Sequence, residues 1–295
     1  DQHSDGYHLI SPVECSARLP RRYPTAHKGT AGRLAVIGGS HQYTGAPFLV
    51  GNAASRAGAG LTSLIGPPEL ARTGTAEERD LVYPHALEDI LSEKDSPDVQ
   101  QFLANQDAFV VGPGLGRSEV LHDGLRQFLP ELDVPAVLDA DGLNNMTEDL
   151  DVLKQCERLV LTPHPGEAAR LLDRDVTSVT DRPLETIDEL VQRTGQTVVL
   201  KTSRPLVGHP EGSYSVNVTG TAALSKAGSG DVLSGMIGAF LAQGLDPSTA
   251  ACLGLYLQGA AGRLASEELD TVSVRSSDVI ENIPGAIRDL ENDST

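Results

Sequence analysis

Residues 225–235 read Ser-Lys-Ala-Gly-Ser-Gly-Asp-Val-Leu-Ser-Gly, and this stretch decides how the rest of the chain is interpreted. Small residues precede an acid, and apolar residues then recur at helical spacing from Val232 to Leu241. The pattern predicts that a helix begins within Gly228–Asp231. The first turn of a helix presents unpaired N–H groups and a partial positive charge, so glycines there let a phosphate approach the backbone.

Asp231 is the unexpected residue of this stretch, because a carboxylate would repel a bound phosphate. Next to an anion site it suits a general base that takes the proton from a hydroxyl attacking phosphorus. The backbone N–H groups around Gly228 and Gly230 would then stabilise the charge that develops during transfer. The alternative is an ordinary helix with an acid in its first turn, where the helix dipole favours it.

Short apolar runs alternate with helical patterns along most of the chain. Strands are expected at 34–37, 61–65, 108–111, 136–138, 159–161 and 197–200. Helices are expected near 46–58, 119–129, 167–173, 183–194, 230–243 and 247–266. This alternation predicts an α/β fold with a mainly parallel central sheet and helices on both faces. Residues 205–218 indicate a hairpin, and the proline-containing residues 1–26 an extended N-terminal arm or linker before one domain at 27–290.

The composition narrows the partners and the setting. The net charge is −18, from 41 acidic and 23 basic residues, of which only five are lysine. An acidic field argues against nucleic acid and anionic membranes as partners. An acidic surface with few lysines resembles proteins of salt-loving organisms, the alternative being an ordinary acidic cytoplasmic protein. The three cysteines form no Cys-x-x-Cys pattern, which favours a reducing, cytoplasmic location.

Six further motifs extend the pattern in chain order. They are His-Lys-Gly-Thr-Ala-Gly-Arg at 27–33, Leu-Ala-Val-Ile-Gly-Gly-Ser at 34–40, Tyr-Thr-Gly-Ala-Pro at 43–47, Val-Gly-Pro-Gly-Leu-Gly at 111–116, Leu-Asp-Ala-Asp-Gly-Leu-Asn at 138–144 and Leu-Thr-Pro-His-Pro-Gly-Glu at 161–167. With Gly228–Asp231 they closely resemble the ADP/ATP-dependent NAD(P)H-hydrate dehydratases of the ribokinase-like superfamily. The resemblance covers roughly residues 27 to 290.

The resemblance implies a lyase of metabolite repair. Its substrates would be (6S)-NADHX and NADPHX, reduced nicotinamide cofactors that have taken up water. The ring hydroxyl is phosphorylated with ADP or ATP as co-substrate and Mg²⁺ as cofactor, and phosphate is then eliminated. Bacterial and archaeal members favour ADP. The resemblance leaves open the choice between NADHX and NADPHX, a homo-oligomeric state, and a fused or separate NAD(P)HX epimerase.

The resemblance also assigns binding residues by position. The substrate residues would be Ala46, Gly114, His164 and Asp231. The nucleotide residues would be Lys201, Thr202, Ser203, Arg204, Pro205, Ser229 and Gly230. Two stretches depart from the family pattern. Thr202 replaces the usual Gly, and residues 220–225 read Gly-Thr-Ala-Ala-Leu-Ser where Gly-Asn-x-Gly-Met-Ala is usual.

Three side chains outside the anion site invite a specific interpretation. Asp139 and Asp141 follow a predicted strand and could hold Mg²⁺ directly or through water, with helix capping by Asp141 as the alternative. Lys28 could offer a point charge to a phosphate. The metal ligands are otherwise unassigned.

Two rival functions remain at this point. A small-molecule kinase of the same superfamily, such as a hydroxyethylthiazole kinase, would share Asp231. A nucleotide-sensing regulator without catalysis would have no need of that acid.

The acidic surface yields a first prediction. If the protein is adapted to salt, screening of like charges to a range of about 3 Å at 1 M salt should strengthen folding. Its melting temperature should therefore rise from dilute buffer to molar KCl, measured by circular dichroism. A melting temperature that stays flat or falls across the series would contradict the salt-loving interpretation.

Overall fold

The computed structural model describes residues 7–25, 29–77, 80–85 and 96–292. Lys28 and most of the charged segment 88–99 lie outside the described residues, so the phosphate contact expected of Lys28 stays a prediction.

Ten strands of the described residues form one sheet. They are β1 Tyr7–Leu9, β2 Arg33–Ile37, β3 Leu61–Ile65, β4 Leu81–Val82, β5 Ala108–Val111, β6 Ala136–Leu138, β7 Leu159–Leu161, β8 Thr197–Leu200, β9 Leu206–Gly208 and β10 Tyr214–Val216. Their order is β1-β10-β9-β8-β7-β6-β5-β2-β3-β4. Every neighbouring pair is parallel except β8–β9 and β9–β10, so the predicted mainly parallel sheet and the hairpin at 205–218 are confirmed.

Helices cover both faces of this sheet. They are α1 Pro12–Arg18, α2 Gly45–Arg56, α3 Pro68–Glu77, α4 Pro97–Ala104, α5 Glu119–Phe128, α6 Asp141–Asn144, α7 Pro165–Leu172, α8 Val176–Asp181, α9 Pro183–Thr194, α10 Ser229–Ala242, α11 Pro247–Glu268 and α12 Ser276–Asn292. The two faces bury separate clusters, and β5 serves both. Ala108 and Val110 pack with α2, α10 and α11, whereas Phe109 and Val111 pack with α5. This alternation follows from the two-residue period of a strand.

The N-terminal segment differs from the extended arm expected over residues 1–26. Tyr7–Leu9 adds an edge strand that pairs in parallel with β10. Residues 12–18 form α1, which is capped by Ser11 and tied to α11 by Arg18 Nη1, which donates to Thr249 Oγ1 at 2.5 Å. A three-residue strand and a seven-residue helix are too short to show periodicity, so tertiary contacts decide their structure. The boundary between arm and domain at residue 27 stays a prediction.

α12 is the longest element that the sequence did not predict. Pro284 lies inside it, and a proline removes a backbone hydrogen bond and normally signals the end of a helix. Buried Val279, Ile283 and Leu290 hold it against the domain, so packing outweighs the local preference. No helix among the described residues is long and apolar enough to cross a membrane.

The parallel strands bring the glycine-rich and polar segments to one edge. β8, β7, β6, β5 and β2 are consecutive neighbours, so the residues that follow them lie side by side at the carboxyl ends, where open α/β sheets bind ligands. Backbone hydrogen bonds continue the alignment past the strands. Asp139 N donates to Val111 O at 3.0 Å, and Lys201 N donates to Pro163 O at 2.9 Å.

Candidate active site

The predicted anion site is the first turn of α10. Gly228 is the residue before the helix, with a left-handed φ of +88° that favours glycine. Two buried or partly buried side chains hold the segment leading into the turn. Gln258 Nε2 donates to Ser229 O at 2.6 Å, and Ser276 Oγ donates to Ala227 O at 2.9 Å. The first turn of α10 therefore has a fixed position.

A buried ion pair lies against this turn. Lys201 Nζ donates to Asp139 Oδ1 at 2.7 Å, and Ser234 Oγ donates to Asp139 Oδ2 at 2.6 Å. Asp139 is 1% exposed. A Cβ atom on Gly230 would lie 3.1 Å from Lys201 Nζ, so the absence of a side chain lets the helix start approach the ammonium group. Burial would lower the pKa of Lys201, but Asp139, Glu167 and Asp231 together raise it, so the lysine stays charged.

Asp231 is in the first turn of α10 and lies close to the ion pair of Lys201 and Asp139. Burial, together with the negative charges of Asp139 and Glu167, raises the pKa of its carboxyl to about 7 against the opposing charge of Lys201. An ordinary aspartate is a poor proton acceptor because its pKa is about 4. With a pKa near neutrality Asp231 is suited to general base catalysis.

His164 and Glu167 form the start of α7, which follows β7. His164 Nδ1 accepts hydrogen bonds from the N–H groups of Gly166 and Glu167, and Glu167 Oε2 accepts one from His164 N at 2.8 Å. His164 therefore has a structural role as helix cap. Its Nε2, which carries the proton when Nδ1 accepts, lies 3.3 Å from Glu167 Oε1. Burial, Lys201 and Arg170 lower the pKa of His164, which favours the neutral ring.

Two of the residues expected to bind the substrate, Ala46 and Gly114, come together next to β2 and β5. A Cβ atom on Gly114 would lie 3.3 Å from Ala46 Cβ and 2.9 Å from Tyr43 Cβ, so the loop after β5 touches the start of α2. His164 lies two strands further along the same edge, after β7. Ala46 and Gly114 are therefore neighbours. Asp139 and Glu167, which follow β6 and β7, lie between them and the loop after β8.

The residues expected to bind the nucleotide lie on the other side of that cluster. Thr202, Ser203, Arg204 and Pro205 connect β8 to β9, and Thr202 Oγ1 donates to Arg204 O at 2.6 Å. The Ser203 carbonyl oxygen lies 4.0 Å from the position of a Cβ on Gly220, which places the loop beside the divergent residues 220–225. Lys201 precedes this loop, and its ammonium group lies against the first turn of α10, which contains Ser229 and Gly230. The roles assigned to these residues stay predictions.

The structure gives Asp139 and Asp141 separate tasks. Asp141 Oδ2 accepts from Gly116 N at 2.8 Å, and its Oδ1 accepts from Asn144 Nδ2 at 3.1 Å. It thus fixes the loop after β5. Asp139 is engaged by Lys201 and Ser234. Among the described residues no group of three His, Cys, Asp or Glu side chains is arranged to hold a metal ion.

A magnesium ion nevertheless suits the charge of the site. Asp139, Glu167 and Asp231 face a single ammonium, so the cluster carries excess negative charge when all three ionise. Mg²⁺ typically uses one or two carboxylates, waters and substrate phosphates. Lys201 and Ser234 engage Asp139, and His164 engages Glu167, so Asp231 is the carboxylate that would hold such an ion together with nucleotide phosphates.

Some site residues gave little signal in the sequence. Ser234 is an ordinary helical serine until the fold places Asp139 beside it, 95 positions away in the chain. Glu167 opens the helix predicted near 167–173, where a helix dipole favours any acid, yet the structure leaves it only 4% exposed. Gln258 was detectable, because it is a polar residue among apolar ones in α11.

A cavity of about 410 Å³ lies elsewhere, between β1, α1 and α11. It includes His209, whose two ring nitrogens contact the hydroxyls of Ser248 and Ser215, each at 2.8 Å. Gly208 pairs with Val198, near the amino end of β8, so His209 and the cavity are at the opposite end of the sheet from Lys201. This cavity is separate from the candidate active site.

Known proteins of one family match most of this chain. A family model described as NAD(P)H-hydrate dehydratase matches residues 34–285. The bifunctional NAD(P)H-hydrate repair enzyme Nnr of Moorella thermoacetica is 37% identical over 289 residues, covering 97% of this chain and 54% of the relative. The ADP-dependent (S)-NAD(P)H-hydrate dehydratase of Neisseria meningitidis is 37% identical, covering 90% of this chain and 89% of the relative.

A solved structure agrees with these relatives. The ADP/ATP-dependent NAD(P)H-hydrate dehydratase of Bacillus subtilis, co-crystallised with ATP/Mg²⁺, has a TM-score of 0.83 and 27% identity, covering 96% of this chain and 98% of that one. The chain spans about half the length of the bifunctional relative. The fold and the match over residues 34–285 together show that the chain belongs to the NAD(P)H-hydrate dehydratase family.

Proposed function

We propose that the protein dehydrates (6S)-NADHX and NADPHX back to NADH and NADPH, using ADP or ATP as phosphoryl donor. The observation that carries this proposal is a carboxyl group, Asp231, with a pKa of about 7 in the anion-binding first turn of α10. An anion site alone would serve binding. A proton acceptor beside it supports phosphoryl transfer to a hydroxyl group, the first step expected of this family.

The chemistry follows from the difficulty of losing water at neutral pH. Asp231 takes the proton of the ring hydroxyl while the oxygen of that hydroxyl attacks the terminal phosphorus of the nucleotide. The bond from this phosphorus to the bridging oxygen breaks, which releases AMP from ADP or ADP from ATP. The N–H groups near Gly228–Gly230 and the ammonium of Lys201 stabilise the transferred phosphoryl group. Phosphate then leaves the ring with the electrons of the C–O bond. The ring nitrogen supplies electrons, and loss of a proton from the neighbouring carbon restores the reduced nicotinamide.

Magnesium would supply charge neutralisation to the nucleotide phosphates. The co-crystal of the Bacillus subtilis relative with ATP/Mg²⁺ supports both ions as partners of the fold. ADP is the expected donor, supported by the Neisseria meningitidis relative named as ADP-dependent.

The cellular setting is part of the proposal. The bifunctional relatives support a fused or separate NAD(P)HX epimerase that would convert the other epimer into the substrate. The three cysteines, free in the structure, are consistent with a reducing cytoplasm. The net charge of −18 supports a cytoplasm with a high salt concentration.

A nucleotide-dependence assay tests the function. Incubation with NADHX, Mg²⁺ and ADP or ATP should restore the absorbance of NADH, and the Asp231→Asn variant should lose at least about 100-fold in turnover, the scale of general base catalysis. The variant should still bind ADP. A kinase would instead accumulate a stable phosphorylated product, and a regulator would bind nucleotide without any product. Near-normal turnover of Asp231→Asn would remove Asp231 from the mechanism.

His164 distinguishes the substrate from the nucleotide half of the site. We propose that its Nε2, which lies 3.3 Å from Glu167 Oε1, donates to the dinucleotide, so loss of that donor should weaken NADHX binding by about 1–3 kcal/mol and leave ADP affinity unchanged. His164→Asn is the informative variant, because Asn can still cap α7, whereas His164→Ala also removes the cap. Calorimetric titration of both ligands checks this. If ADP affinity falls while NADHX binding is intact, His164 serves the nucleotide.

A further inference from the structure

Arg170 extends from α7 toward the ring of His164. Its Nε donates to Asn144 Oδ1 at 2.9 Å, which fixes one edge of the guanidinium. A Cβ atom on Gly166 would lie 3.8 Å from Arg170 Nη1 and 2.8 Å from His164 Cε1. The guanidinium and the imidazole therefore lie over the same glycine, at the carboxyl end of β7.

Arg117 approaches the same short helix α6, at its first residue, Asp141. Its Nε lies 3.9 Å from Asp141 Oδ1, and the same oxygen accepts from Asn144 Nδ2, the amide that also accepts from Arg170. Asp141 in turn holds Gly116 N. One hydrogen-bonded turn thus presents two arginines along the edge formed by the ends of β5, β6 and β7.

Among the described residues Arg170 forms no direct ion pair, although burial raises the pKa of the Glu167 carboxyl and the charge of Arg170 opposes that rise at longer range. Within the described part of the chain, no carboxylate lies within 4 Å of its guanidinium, and its fixed partner is a neutral amide. By contrast, Arg174 in the next turn pairs with Glu189, and Arg126 pairs with Asp149. In a chain of net charge −18, a positioned and exposed arginine without an acidic partner is an attractive point for an anion.

The location identifies which anion would bind there. Arg170 and Arg117 are on the side of Gly114 and His164, whereas the loop at 201–205 follows β8, the next strand along the sheet beyond β7. A planar guanidinium with two N–H edges suits phosphate oxygens. A phosphate of the dinucleotide substrate is therefore a better match than the phosphates of ADP.

We propose that Arg170, assisted by Arg117, binds a phosphate group of the dinucleotide, either the pyrophosphate or the 2′-phosphate of the NADP form. The proposal rests on the proposed function for the identity of the dinucleotide. Arg170 acts through binding alone, so its replacement should raise KM and leave kcat and the KM for ADP nearly unchanged.

The test compares Arg170→Gln and Arg117→Gln with a matched control. Arg158→Gln removes the same charge at the amino end of β7, where Arg158 Nη2 donates to Asp133 O at 2.8 Å. Fluorescence titration with NADH and NADPH measures binding without any reaction, so failure of the proposed catalysis would be visible separately in the turnover assay. Arg170→Gln should weaken binding about 10-fold or more, Arg117→Gln less, and Arg158→Gln not at all. Arg170→Lys should restore part of the affinity.

The two dinucleotides distinguish the two phosphate sources. Equal losses for NADH and NADPH assign the pyrophosphate, and a loss confined to NADPH assigns the 2′-phosphate. Melting temperatures of the variants exclude unfolding as the cause. The proposal is overturned if folded Arg170→Gln binds both dinucleotides within twofold of Arg158→Gln, or if the wild-type protein binds neither.

Discussion

The ion pair between Lys201 and Asp139 is the constraint on which the candidate site depends. It joins the ends of β8 and β6 across the end of β7, and Asp139 is 1% exposed, so both charges are committed to each other. A buried charge is tolerated when it is paired and hydrogen-bonded, and removal of one partner leaves the other at a cost of about 3–5 kcal/mol. Ser234 donates a hydrogen bond to Asp139, and Gly230 has no side chain to keep Lys201 away, so the first turns of α10 pack against the pair. The turn predicted to bind an anion therefore has one position relative to the sheet.

The same pair sets the chemistry of its neighbours. Three carboxylates, of Asp139, Glu167 and Asp231, share one ammonium in a site with little water. Asp139 takes the direct contact, and Glu167 Oε2 lies 3.9 Å from Lys201 Nζ. Burial and the negative neighbours raise the pKa of Asp231 to about 7, and burial raises that of Glu167. A phosphate group or a divalent cation that enters this cluster would change the pKa values of Asp231 and Glu167, and proton transfer is therefore linked to ligand binding.

Local pattern and parallel topology account for what could be predicted from the sequence. The six strands predicted from apolar runs are confirmed, with β2 beginning at Arg33, one residue early. Gly228–Asp231 does begin a helix. The alternation of strands and helices implies a parallel sheet, and a parallel sheet places the glycine-rich loops at one edge. The resemblance of the motifs, rather than their spacing, supplied the substrate and nucleotide residues.

What the sequence could not supply are contacts between distant segments. Asp139 and Asp141 look like equivalent metal ligands one residue apart, yet one meets Lys201 from β8 and the other meets Gly116 after β5. The resemblance assigns His164 to the substrate, but its role as cap of α7 depends on the rotamer that the fold selects. β1 and α1 are too short to be read locally and exist through pairing with β10 and packing on α11.

The pKa of Asp231 is the most direct test of this account. Carboxyl carbon NMR of protein labelled with ¹³C-aspartate gives it, with the Asp231 signal assigned by its loss in Asp231→Asn. The account predicts a midpoint of about 7 in the wild-type protein. It also predicts a lower midpoint in Asp139→Asn, because a negative neighbour is removed and Lys201 is released toward Asp231. A wild-type midpoint near 4, the ordinary value for aspartate, would contradict the account.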